Sequence, residues 1–122
     1  MSKEVTINFQ LQYGDSLGVA DSLQLANASY SVTTKVIARV PGIAPTTAAA
    51  LNLGGVTSLG YVAIINRDPT NFITLLTGTG GVTFAKLWPG QGALFFFGSG
   101  VTAPFIKADT AVCQYDCLLL SV

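Results

Sequence analysis

The sequence predicts an all-β chain: an antiparallel β-sandwich with jelly-roll-like connections and at most one short helical turn. Three observations predict it. Apolar and polar residues alternate with a period of two in several segments. Turn residues, chiefly Pro and Gly, recur at roughly 8–12-residue spacing. No segment of helical length carries capped 3.6-residue periodicity. With 122 residues and no linker or fixed-period repeat, the chain reads as a single sandwich domain over residues 1–122.

The first strand is VTINFQLQY, with Val5, Ile7, Phe9, Leu11 and Tyr13 on one face and Thr6, Asn8, Gln10 and Gln12 on the other. That alternation is the signature of a half-buried strand. GDSLG at 14–18 turns the chain, and VADSLQLANA reads as a short strand with a loop. In YSVTTKVIARV, the residues Tyr30, Val32, Val36, Ala38 and Val40 face inward, Lys35 and Arg39 outward, and Pro41-Gly42 ends the run. PTTAAALNLGG fits either a single helical turn, capped by Thr46 or Thr47 and closed by Gly54-Gly55, or an irregular crossing loop. The helical turn is the preferred reading. After it come GYVAIIN, NFITLLT, VTFAKL, GALFFFG, PFIK and AVCQYDCLLLS, joined by RDPT, GTGG, WPGQG, SGVTA and ADT. Most of these links are rich in turn formers.

Composition excludes several functions. Charged residues make up 10 % of the chain, against about 25 % in an average soluble domain, while hydrophobic residues make up 50 %. So few charges leave the surface to Ser, Thr, Asn, Gln and Gly, and favour burial of a second face in an assembly. Six basic and six acidic residues are scattered singly, which leaves no stripe to track phosphates and no nucleic-acid partner. Histidine is absent, which removes the commonest general base and metal ligand together. MSKEVTINFQ carries no secretory signal, and no apolar run approaches the roughly 20 residues of a membrane span. The expectation is synthesis and folding in the cytoplasm, with no membrane partner.

The candidate sites read mostly as architecture. NRDPTN at 66–71 lies between two apolar runs, as a hairpin connection would, with Pro69 setting the turn. GTGG at 78–81 precedes a strand pattern rather than the helix a phosphate loop needs, and GSGV at 98–101 fails likewise. Glu4, Asp15, Asp21, Asp68, Asp109 and Asp116 are dispersed, and no nucleophile motif accompanies them, so no catalytic residue and no enzyme activity is expected. In a strand, Cys113 and Cys117 stand about 13 Å apart, too far for the roughly 4.4–6.8 Å of a disulfide. With no further Cys or His to complete a metal site, both read as small buried thiols; no metal and no cofactor is expected. In FFF at 95–97, Phe95 and Phe97 share one face and Phe96 takes the other. Either that strand is central with both faces covered, or one face meets another subunit. Trp88, before the Pro89-Gly90 turn, is a further anchor for an interface or a plug for the sandwich end. Trp88, Phe95, Phe96 and Phe97 are the candidate interface residues.

GYVAIINRDPTNFITLL, FAKLWPGQGALFFF and PFIKADTAVCQYDCLLL together resemble a small virion protein recurrent in tailed bacteriophages. The matching residues are 60–73, 87–95 and 107–111, with Tyr115 in the closing strand, so the resemblance covers about the C-terminal half. The Cys pair and the unbroken FFF depart from the pattern, and make this surface more apolar than the family's. The resemblance implies a structural protein of the virion. The expected function is capsid decoration or cementing on the capsid surface, with the major capsid protein as partner. The chain is expected as a homo-oligomer, trimer before dimer. A neck, tail or fibre component is the alternative, and a carbohydrate-binding module using Trp88 and Gln91 a second.

Overall fold

The computed structural model describes residues 5–14, 18, 20–30, 37–97 and 102–121. They are all-β, with no helix among them. The chain divides into two compact units, Met1–Thr33 and Thr34–Val122.

The first unit is an antiparallel hairpin of β1 (Val5–Gly14) and β2 (Ala20–Tyr30). VADSLQLANA therefore belongs to a strand of 11 residues, not a short strand with a loop. A bulge sits where Ile7 faces Ala28 and Phe9 faces Leu25, so β2 spends one residue more than β1. Asn27 absorbs it with φ 54°, a region asparagine tolerates, and its N–H donates to Asn8 Oδ1 at 2.6 Å. The bulge has a sorting effect. Without it Phe9 would face Ala26 and Leu11 would face Gln24; with it Phe9 meets Leu25 and Leu11 meets Leu23. The apolar residues of both strands thus share one face, while Gln10, Gln12, Ser22 and Gln24 share the other. Val5 and Ile7 are buried, but from Asn8 onward β1 is exposed, so the expected half-buried strand is half-buried only at its start.

The second unit contains β3 (Ile37–Arg39), β4 (Gly42–Ala44), β5 (Ala49–Ala50), β6 (Leu59–Asn66), β7 (Ile73–Leu76), β8 (Thr83–Leu87), β9 (Gly92–Phe96), β10 (Phe105–Ala108) and β11 (Cys113–Ser121). One sheet has the order β3-β11-β6-β9, with β4 also paired to β11; the other has the order β5-β10-β7-β8. All the pairings are antiparallel. Both sheets feed one core, as a sandwich requires: Val62, Ile64, Cys117 and Leu119 from the first, Ile73, Leu75, Leu87 and Ile106 from the second. Each large side chain so buried contributes about 1.5–3 kcal/mol.

Two further expectations need correction. PTTAAALNLGG holds no helical turn: Ala49 and Ala50 pair with Ile106 and Phe105 as β5. The segment then closes through Asn52, whose Oδ1 accepts from Gly54 N–H at 3.0 Å, with Gly54 and Gly55 both at positive φ. A neighbouring strand offered better partners than an isolated turn has. NRDPTN, in turn, is not a hairpin connection, because β6 and β7 lie in different sheets. It carries the chain across the sandwich. The links β8–β9, β9–β10 and β10–β11 also cross, whereas GTGG joins paired neighbours, β7 and β8. Ala38 is buried and Arg39 exposed as expected, but Tyr30, expected inward, is exposed at the end of β2. The places expected for Val32, Lys35 and Val36, most of the 14–18 turn, Glu4, Asp15 and GSGV lie outside the described residues.

Candidate interaction surfaces

The NRDPTN crossing is held by one buried amide. Asn66 is fully buried; its Nδ2 donates to Asn71 O and Leu87 O, both at 2.9 Å, and its Oδ1 accepts from Asp68 N–H at 2.8 Å. Its main chain reaches the β8–β9 turn, donating to Gln91 O at 2.9 Å and accepting from Gly90 N–H at 3.1 Å. Asp68 closes the bend by accepting from Asn71 N–H at 2.6 Å and Thr70 N–H at 3.0 Å. Those two donors hold its carboxyl below the usual carboxylate range. The polar side chains of this stretch, Arg67 aside, are used to build the crossing.

Arg67 points elsewhere. At the same end of the first sheet, Arg39 grips Asp116 side-on, with Nε donating to Oδ1 at 2.7 Å and a second bond from the guanidinium to Oδ2. The Arg39 bond, more than any other cause, keeps the Asp116 carboxyl below its ordinary range. Arg67 stands 3.9 Å from the same carboxylate and is exposed. Two guanidiniums thus share one carboxylate, leaving one positive charge in surplus. Arg67, Asp116, Gln114, Ile43 and Gly42 line a shallow groove of about 370 Å³ there.

Beyond that cluster the outward face of the first sheet is apolar. Strand register sets its rows: Arg39, Leu118, Ala63 and Leu94, then Ile37, Leu120, Tyr61 and Phe96. Ile37 is 64 % exposed and Phe96 53 %, and Leu118 and Leu94 are also exposed. Tyr61 meets the edge of Phe96 with ring centroids 5.4 Å apart. No run of adjacent residues announces this face; it appears only when four strands lie side by side.

FFF resolves accordingly. β9 is an edge strand, so the central-strand alternative fails. Phe95 and Phe97 pack on the core with centroids 5.9 Å apart, and Phe96 joins the outward row. Trp88 lies apart from them, 51 % exposed beside Phe72 at 4.9 Å, with Lys86 Nζ 4.2 Å over the Phe72 ring. Gln91 Oε1 accepts from Trp88 N–H at 2.9 Å, which ties this side chain to its own turn.

Cys113 and Cys117 are free and buried. Burial pushes the Cys117 thiol up to about 11, aided by the nearby Asp116 charge, and raises Cys113 as well. Neither is expected to react with a soluble disulfide reagent at pH 7 in the native protein, whereas both should react in denaturant; thiol titration by absorbance reads the difference. Among the described residues no group of Cys, Asp and Glu is arranged to hold a metal ion. No family model, curated protein or solved structure matches this chain.

Proposed function

We propose that this chain is a virion structural protein, a capsid decoration or cement protein that strengthens the head by contact rather than by chemistry. One observation carries the reading: the solvent-facing side of the first sheet presents two rows of mainly apolar side chains, a surface suited to burial against other subunits. The polar clusters support it, since the side chains of the NRDPTN crossing and of Gln91 are mostly engaged in holding turns. The strand order supports it as well. With β4, β11, β6 and β9 in one sheet and β5, β10, β7 and β8 in the other, the connectivity reads as a jelly roll, an arrangement used by viral capsid domains. The mechanism is repetition: many modest contacts between homo-oligomers and the major capsid protein add through avidity.

The test is immunogold labelling of intact virions with antibody raised against the purified chain. Label distributed over the head is the expected result. Label confined to the neck, tail or fibres would replace the cement reading with that alternative, and virions that carry none of the chain would overturn both.

A further inference from the structure

We infer that the β1–β2 hairpin is an arm whose apolar face docks on the outward face of the first sheet of a second copy of this chain. This deepens the homo-oligomer part of the reading above and rests on that part alone; the place in a virion is tested separately by the labelling.

A two-stranded hairpin is marginal in water by itself, and needs a further layer against its apolar face. Here Leu11 is 73 % exposed and Leu23 68 %, flanked on the same face by Phe9, Tyr13 and Leu25. The bulge at Asn27 is what brings the leucines to that face. A register device that gathers apolar side chains onto one exposed side serves an occupant. The outward sheet face is an exposed apolar surface of the same kind.

Charge complementarity names the occupant. Among the described residues the hairpin carries one charge, Asp21, opposite Tyr13 at the far end of the apolar face. The sheet face has its surplus positive charge at one end too, on Arg67 beside the groove. Asp21 precedes Leu25 by four residues, and Asp116, which marks the Arg67 end, precedes Leu120 by four. Each apolar stretch therefore runs about 13 Å from its charge. Laid together, leucine meets leucine and Asp21 reaches Arg67. Arm and face are different surfaces, so the contact either closes reciprocally between two copies or repeats head-to-tail until a ring closes, and a ring of three copies is the expected number.

The test is light scattering after size exclusion of the full chain across a dilution series. The wild type is expected as a closed oligomer. An arm variant, Leu11→Ser with Leu23→Ser, and a face variant, Phe96→Ser with Leu118→Ser, are each expected as monomers with unchanged circular dichroism. Mixed in equal amounts they should form a heterodimer, since one retains the face and the other the arm. Asp21→Arg should weaken association severalfold, and adding Arg67→Asp to the same chain should restore it. A wild type that is monomeric throughout, an arm variant of wild-type mass, or a mixture that stays monomeric overturns the inference. Should a serine variant lose its fold, the exposed charge pair decides alone, and failure of the double exchange to restore association is then the contrary result.

Discussion

Asn66→Ala is expected to destabilise the second unit by about 3 kcal/mol, read as a lowered midpoint in urea with an unchanged slope. The methyl group removes both amide donors, so Leu87 O loses this bond in the interior, while Asn71 O and Asp68 N–H lose theirs where they are part-buried. Each buried polar group left unpaired costs about 1–3 kcal/mol, and three are affected, two of them only part-buried. Asn66→Asp should do no better. It keeps the acceptor for Asp68 but sacrifices the donors and places a carboxylate in a fully buried position. A loss below about 1 kcal/mol for the alanine variant would mean that water replaces the amide, and that the crossing is held by its main chain.

Neighbouring leucines on β11 should differ just as sharply. Leu119→Ala removes a fully buried side chain at the middle of the core, and the expected loss is about 2–5 kcal/mol, set by how far the two sheets can close over the gap. Leu118→Ala, one residue earlier on the outward face, should change the stability of an isolated chain by about 0.5 kcal/mol or less. Its effect is expected on the proposed association instead, and should grow with protein concentration. Thermal unfolding of both variants at low and high concentration separates the two contributions. Equal losses for Leu118 and Leu119 in dilute solution would show that the outward face is already covered within one chain.

The strands were legible wherever alternation met a matching environment. AVCQYDCLLLS reads as one strand, and Cys113–Ser121 form one, because the odd-numbered residues from Cys113 to Leu119 face the core while the even-numbered ones do not. Alternation says nothing about what covers a face, and there the reading of β1 went astray: the same pattern that suits a buried strand suits an arm with one apolar side. Nor does it say which strand pairs with which. A six-residue polar link can join neighbours in a sheet or cross between sheets, and the choice at NRDPTN was made by Leu87 O and Gln91 O, about twenty residues away in sequence. Phe96 was legible as the phenyl ring on the far side of FFF. Its companions Tyr61, Leu118 and Ile37 come from three other strands, and nothing local in the sequence joins them.

Two of the four strands interior to the sheets, β10 and β11, have a bearing on how the chain reaches this state. β10 separates β5 from β7, and β11 separates β3 and β4 from β6, so neither sheet is joined up until residues 105–121 have been made. Before then β3 and β4 have no sheet partner, and the buried Ala44 and Ala38 have nothing opposite them. Closing contacts such as Arg39 to Asp116 span 77 residues. Such non-local topologies fold on the order of milliseconds to seconds, because loop closure must precede the contacts that reward it. During synthesis β3, β4 and β5 therefore wait for their partners until the end of the chain, and low charge gives little electrostatic protection against premature association in that interval.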